Sequence, residues 1–171
     1  MRERIRRLEA KFAKRSEGVD LATLGPKDQE RVAEAVAVFL FEMACHKVLE
    51  SPDPGAQKGL SSPTWKYYVE RQPKVYPEFW EEVQQRVSVL KAWRRWRETQ
   101  YGPLAPEDWA NWRWAVEDIH TLRRDGTGGL PEAEALLEAA ERAKVGTPEE
   151  ERRAWTKCPF VQSVRTLLFH C

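Results

Sequence analysis

The stretch PKDQERVAEAVAVFLFEMACHKVLE, residues 26–50, is apolar on almost every side when it is drawn as a helix. Its larger apolar side chains surround the helix axis: Val32, Val36, Phe39, Leu40, Met43 and Val48. A helix with so little polar surface is normally buried among other helices. The stretch therefore predicts a central helix over 26–50, around which the rest of a helical bundle packs.

A proline followed by acidic residues marks five places in the chain: GPKDQE from residue 25, YPEFWEE from 76, APEDW from 105, LPEAE from 130 and TPEEE from 147. Proline suits the first helical position because no hydrogen bond is lost there, and carboxylates in the first turn face the positive end of the helix dipole. We therefore predict a single all-α domain over 1–171, a compact bundle of six to eight helices. They are expected at about 2–16, 26–50, 77–100, 106–124, 131–144, 148–156 and 159–169, with a short one near 64–71. The Pro-, Gly- and Ser-rich segment 51–63 is expected to be a loop.

Composition narrows the class of protein. The chain has 171 residues, of which 42% are hydrophobic and 32% charged, as in a globular domain rather than a disordered tail. Three cysteines cannot complete a disulfide framework, which favours a reducing compartment. The longest apolar run, AVAVFLF over 35–41, is too short to cross a bilayer, and no secretory signal is recognisable. We predict a cytoplasmic protein with no membrane partner.

Several families of catalytic and cofactor motifs are missing from the sequence. It has no P-loop, no dinucleotide-binding glycine motif and no H-E-x-x-H. Its cysteines and histidines lack the paired short spacings of metal sites, although ligands from distant helices remain an alternative. Cys45 is expected to be a small buried hydrophobe. The sequence thus predicts no cofactor and no bound metal.

Charge is sorted along the chain. Residues 1–16 carry seven basic and two acidic side chains, and 83–97 carry five basic and none acidic. Residues 131–151 carry seven acidic and two basic side chains. Two basic helices packed side by side would present one surface to nucleic-acid phosphates.

The segment VLKAWRRWRETQ, residues 89–100, separates into two faces on a helical wheel. Trp93 and Trp96 fall with the apolar residues, which predicts that both pack in the core or in an interface. The basic residues fall on roughly the opposite side: Lys91, Arg94 and Arg95. Arg97 falls beside Trp93, where it either passes the edge of the core or stacks on an aromatic ring.

The predicted helix 106–124 has an apolar face made of Trp109, Trp112, Val116 and Ile119. Trp114 points away from that face, next to Arg113, where it would stack a base, contact a protein or lie at the edge of the core. His120 falls on the apolar face nearly in line with Trp109 and is expected to be a core side chain.

Two short stretches, RTLLFH with Arg165 and His170 and RWAVEDIH with Arg113 and His120, resemble the R-x4-6-H motif of HEPN ribonucleases. The resemblance covers six and eight residues and the all-α fold class. It implies a metal-independent ribonuclease, usually a dimer, whose arginine and histidine converge on the scissile phosphate. Thr166 or Trp114 follows the arginine here, at a place where the family often has a polar residue.

The charge pattern favours a non-catalytic binding or assembly subunit with nucleic acid, RNA or DNA, as its partner, like the small helical subunits of RNA-guided or phage assemblies. The expected phosphate contacts are Arg6, Arg7, Lys11, Lys91, Arg94 and Arg95, and the expected stacking residues are Arg97 and Trp114. The HEPN-like ribonuclease is one alternative. The other is a protein interaction module, or self-association, in which the acidic segment 131–151 meets the basic helices of another molecule.

Overall fold

The computed structural model describes residues 21–169 of the chain. Within that range eight α-helices follow one another: α1 Pro26–Val48, α2 Pro54–Leu60, α3 Pro63–Trp65, α4 Tyr76–Tyr101, α5 Trp112–Asp125, α6 Pro131–Arg142, α7 Pro148–Lys157 and α8 Pro159–Phe169. A π-helical turn, Lys66–Glu70, continues α3, and 3-10 turns occupy Leu21–Thr23, Pro73–Val75 and Pro106–Asp108. No strand occurs between residues 21 and 169. The all-α prediction is confirmed, whereas the predicted helix 2–16 lies outside the described residues.

Proline sets the start of most of these elements. Nine of the eleven prolines occupy the first or second position of a helix or helical turn. Side chains complete several starts, since Asp53, Ser62 and Asn111 each accept a hydrogen bond from a backbone N–H of the following turn. At α7, Thr147 and Glu150 form a reciprocal capping box.

The longest helices, α1 and α4, share the centre of the bundle. α1 packs most extensively against α8 and also contacts α2, α4 and α7. Ten of its side chains are buried, as expected for a central helix. α4 packs most extensively against α6 and contacts α1, α5 and α8. Most of the other helices therefore pack against α1, against α4 or against both.

Buried side chains from Ala33 to Leu167 form one continuous hydrophobic core. Trp65 and Trp93 are almost fully enclosed in it, and Trp65 packs edge-on against Phe79 and Trp80. Full burial of such large rings gives several kcal/mol of favourable transfer free energy each, at about 25 cal/mol per Å². These buried tryptophans therefore stabilise the packing of the helices against one another.

Two sequence predictions of local structure are wrong. The segment 51–63 is not one loop, because α2 forms within it: Asp53 caps the helix, and Ala56 and Gly59 pack against the core. The predicted helix 106–124 is broken, because Pro106–Asp108 forms only a 3-10 turn and α5 begins at Trp112 after the Asn111 cap.

Candidate nucleic-acid interface

The C-terminal half of α4 carries three basic residues that we call the basic stripe: Lys91, Arg94 and Arg95. On this helix Trp93 and Trp96 are buried, as the helical wheel predicts. Lys91 and Arg95 are exposed, and Arg94 is half-buried. One side of this segment therefore packs in the core, and the other side presents positive charge to solvent.

Lys91 and Arg95 lie one helical turn apart, and neither forms an ion pair with any described residue. Four other exposed arginines do form an ion pair with a carboxylate three or four residues away: Arg31, Arg113, Arg142 and Arg153. Like charges at this spacing destabilise a helix by about 0.2–0.5 kcal/mol instead of stabilising it. The stripe therefore has a small cost to folding, which a bound anion would relieve.

Arg94 has a structural role as well as a charge. Its guanidinium lies over the ring of Trp109, 4.0 Å from the ring centroid. The Nε of Arg94 is buried and has no hydrogen-bond acceptor among the described residues. Arg94 thus covers Trp109 while its charge remains next to Lys91 and Arg95.

Arg97 lies between the basic stripe and the core, and its surroundings account for its place on the apolar arc. Its Nη1 donates a hydrogen bond of 2.7 Å to Oδ2 of Asp118, which also accepts one of 2.8 Å from the indole N–H of Trp93. The guanidinium lies 4.7 Å from the ring centroid of Tyr101 and 5.3 Å from that of Trp114. Of the two placements that the sequence allowed for Arg97, the structure shows the one beside aromatic rings, which are rings of the protein itself, and stacking of Arg97 on a base stays a prediction.

Tyr101 and Trp114, whose rings both lie near the Arg97 guanidinium, form what we call the aromatic shelf. Tyr101 is 71% exposed and Trp114 is 38% exposed. The sequence indicated Trp114 but not Tyr101. The signal for Tyr101 was its spacing, since it follows Arg97 by four residues and ends α4 before Gly102, whose φ of +83° closes the helix. The shelf therefore joins the end of α4 to the start of α5.

Acidic side chains border the basic stripe on one side. Arg95 and Glu132 line a shallow groove between α4 and α6 together with Ala92, Pro131 and Ala135. Further along α6, Glu134, Glu138 and Glu141 are exposed. The positive surface of α4 therefore weakens toward α6. Arg94 and the aromatic shelf lie on the α5 side, where Asp118 pairs with Arg97 and Glu117 pairs with Arg113.

Three of the expected phosphate contacts, Arg6, Arg7 and Lys11, lie outside the described residues. Their placement beside the basic stripe stays a prediction.

The two pairs that resemble the HEPN motif differ in placement. Arg113 and His120 are both exposed on α5, about 10 Å apart along the helix axis at 1.5 Å per residue. Arg113 donates a 3.0 Å hydrogen bond to Glu117, which stands between them. Arg165 is half-buried on α8 with its Nε buried and unpartnered among the described residues, and His170 lies outside those residues. His120 is thus not the core residue that the sequence predicts, because α5 begins at Trp112 and the alignment with Trp109 does not apply.

The described cysteines and histidines do not converge. No cluster of three or more His, Cys, Asp or Glu side chains suited to a metal ion occurs in the part of the chain that the structure describes. Cys45 is fully buried, as predicted, and burial raises the pKa of its thiol far above the ordinary range. Burial likewise raises the pKa of Cys158. Both described thiols are therefore poor nucleophiles.

A largely buried ion-pair network around Arg86 is a second charged feature among the described residues that the sequence did not indicate. Arg86 on α4 contacts Glu82 at 2.9 Å and Glu151 on α7 at 3.5 Å, and its guanidinium lies 5.3 Å from the ring centroid of Trp112. Glu151 also accepts a 3.0 Å hydrogen bond from the backbone N–H of Gly146. The network ties α7 to α4 and lies away from the basic stripe.

Comparison of the chain with protein-family models, with curated proteins and with solved structures gave no match. None of the helices between residues 21 and 169 combines the length and the apolar composition that a bilayer crossing requires.

Proposed function

We propose that this chain is a non-catalytic binding or assembly subunit that contacts the phosphates of RNA or DNA through the basic stripe. The observation that carries the proposal is the pair of exposed cations, Lys91 and Arg95, which lie one turn apart with no carboxylate partner among the described residues. Phosphate groups supply the anion that such a pair lacks, and each contact releases counterions from the nucleic acid.

The rest of the surface is consistent with this role. Arg94 stands between Lys91 and the aromatic shelf, so that positive charge continues along the helix toward exposed rings. Phosphate contacts fix position without reading sequence, and aromatic rings add affinity for unstacked bases. In this proposal Arg6, Arg7 and Lys11 of the N-terminal segment add further phosphate contacts.

The test is a salt titration of binding to a fluorescently labelled oligonucleotide, followed by anisotropy. The wild-type affinity is expected to fall steeply with salt. The double variant Lys91→Ala/Arg95→Ala is expected to bind more weakly and to lower the slope of log K against log salt by about 1.5–2, since two phosphate contacts are lost.

A matched control separates this stripe from net charge. The double variant Arg142→Ala/Arg153→Ala removes the same charge from two exposed arginines that pair with Glu138 and Glu149 elsewhere on the surface. It is expected to keep nearly the wild-type slope. If the stripe variant bound as the wild type does, or if both variants lost affinity equally, the proposal would be wrong.

The ribonuclease alternative is tested in the same samples. Labelled RNA incubated with the protein in EDTA is expected to remain intact. Metal-independent cleavage that disappears in a His170→Ala variant would show an enzyme instead of a binding subunit.

Self-association is a second candidate, favoured by the opposite charges of two neighbouring surfaces. The basic stripe and the exposed carboxylates Glu134 and Glu138 lie on adjacent helices of one face, so two molecules could pair them reciprocally. Light scattering at low and high salt tests this. Salt-sensitive oligomers that form without nucleic acid, and that the stripe variant abolishes, would favour this candidate.

A further inference from the structure

We infer that the aromatic shelf of Tyr101 and Trp114 stacks unpaired bases, and that the nucleic acid bound by this chain is therefore single-stranded. The inference rests on the proposed function, because the shelf adds base contacts to a strand whose phosphates the basic stripe holds. It also gives Tyr101 a binding role that its sequence position did not suggest.

The aromatic shelf is exposed to solvent. Tyr101 and Trp114 are two of five large hydrophobic side chains that the described part of the chain leaves exposed, and Tyr101 is the most exposed of them at 71%. Arg97 lies 4.7 Å from the centroid of the Tyr101 ring and Trp96 packs against the same ring at 6.3 Å, yet most of the Tyr101 side chain stays exposed. A flat open ring face is what a base stacks upon.

Hydrogen bonds and packing hold the rings of the aromatic shelf in place before any base binds. Asp118 holds the Arg97 guanidinium at 2.7 Å and is itself held by the Trp93 indole at 2.8 Å, and Trp93 is fully buried. The Arg97 plane in turn supports both rings of the shelf. The rings are thus connected to the core through fixed hydrogen bonds, and less side-chain entropy is lost when a base stacks on them.

The aromatic shelf continues the line of the basic residues along α4. Arg94 and Tyr101 are seven residues apart, so they lie on nearly the same side of α4 and about 10 Å apart along its axis. Lys91 precedes Arg94 by one further turn on the same surface. A strand whose phosphates follow Lys91 and Arg94 would carry its bases onto Tyr101, and then onto Trp114 across the gap to α5. Bases in a duplex are already stacked on one another and would not reach these rings.

The charge beside the shelf that favours nucleic acid over a protein partner is that of Arg94, on the α4 side, which forms no ion pair with a described residue. Arg113, next to Trp114 in the sequence, is exposed but pairs with Glu117 at 3.0 Å. Within this group Arg97 acts as a positioning residue, since Asp118 already neutralises it and its guanidinium supports the rings.

The experiment compares the affinity of the full chain for a labelled oligothymidine and for a labelled hairpin duplex of equal charge. The wild type is expected to prefer the single strand. Tyr101→Ala is expected to lose about 5- to 100-fold in affinity for the single strand and little for the duplex, as for loss of one stacked base. Tyr101→Phe keeps the ring and is expected to bind as the wild type does.

Tyr76→Ala is the matched control, because Tyr76 is a second exposed tyrosine, at 49%, at the opposite end of the same helix. It lies about 37 Å from Tyr101 along the axis and is expected to leave both affinities unchanged. Arg97→Lys keeps the charge but loses the planar support, and is expected to weaken single-strand binding without changing the salt slope.

The outcomes separate the two levels of the proposal. If Tyr101→Ala bound the single strand as the wild type does while Lys91→Ala/Arg95→Ala lost affinity, the shelf inference would be overturned and phosphate binding would stand. Equal affinity of the wild type for strand and hairpin would also overturn it. If neither nucleic acid bound, both the inference and the proposed function would be wrong, whereas shelf variants that abolished only self-association would overturn the inference alone.

Discussion

Gly59 of α2 packs against the side chain of Met43 on α1. A β-carbon at this position would overlap the sulfur of Met43, and Met43 is itself buried. Gly59→Ala is expected to lower the free energy of unfolding by about 1–2 kcal/mol, because overpacking costs more than the roughly 1 kcal/mol that alanine adds to helix propensity. Urea denaturation measures the change.

Gly55→Ala in the same helix is the matched control for that variant. The added methyl group would make only ordinary contact, with the nearest atom of Asp53 at 3.4 Å. It is expected to leave stability unchanged or to raise it slightly. A Gly59→Ala protein as stable as Gly55→Ala would show that Met43 yields easily and that the approach of the helices is not tight.

Single side chains could be predicted from the sequence where one helix determines their surroundings. Trp93 and Trp96 are buried because helical spacing alone places them with Val89 and Leu90. The partner of Arg97 could not be predicted, since Asp118 comes from another helix, 21 residues away. The shelf that Arg97 supports was hidden for the same reason.

The start of α7 is the most completely capped helix start in the described chain. The Thr147 hydroxyl accepts from the N–H of Glu150 at 3.2 Å, and the Glu150 carboxylate accepts from the N–H of Thr147 at 2.8 Å. Thr147→Ala is expected to lower the free energy of unfolding by about 1 kcal/mol, because the backbone N–H of Glu150 loses its side-chain acceptor. Denaturant titration gives the value.

Thr121→Ala controls for the loss of a threonine as such. The Thr121 hydroxyl bonds only to the carbonyl of Glu117, one turn earlier within α5, and the side chain is exposed. Alanine there is expected to change stability by less than about 0.5 kcal/mol. Equal losses in the two variants would contradict a specific capping role for Thr147.

Whole elements could be predicted from their first residues. The proline and acidic motifs locate α1, α4, α6 and α7 to within a few residues. The motif from residue 105 predicted a wrong helix start. Asn111 accepts a hydrogen bond from the N–H of Trp114 and caps α5, which therefore begins six residues later than expected. The loop predicted for segment 51–63 was wrong in the opposite sense, since α2 forms there and Gly59 serves close packing in that helix rather than a turn.

The stability of the whole molecule should depend on pH through His46. This histidine is buried on α1, burial lowers its pKa below the ordinary value of 6.5, and Asp53 opposes that shift more weakly. The unfolded chain therefore binds a proton that the folded chain resists. Stability is expected to be full above about pH 6.5 and to fall as the pH drops below it.

Urea midpoints measured between pH 5 and pH 8 test this dependence. The slope against pH is expected to flatten in a His46→Gln variant, whatever its absolute stability. His120→Gln, which changes an exposed histidine, should retain the wild-type slope. Identical slopes in all three proteins would exclude His46 as the cause.

At the scale of the molecule, the fold class followed from the sequence, but the candidate surface followed only in part. The positively charged side of α4 could be predicted from the sequence of that helix alone. The acidic boundary formed by Glu132, the cover that Arg94 gives to Trp109 and the shelf around Arg97 each join two segments that are distant in sequence. Helical periodicity carries no information about which helices become neighbours.

The prolines at the helix starts also act on the chain before it folds. Each one fixes its own φ near −65° and restricts the residue before it, so the disordered chain has fewer conformations to lose. Replacing such a proline by alanine would remove almost no contact, yet would widen the denatured ensemble by the equivalent of about 0.4–1 kcal/mol. With nine of them, part of what keeps this protein folded is a property of its unfolded state.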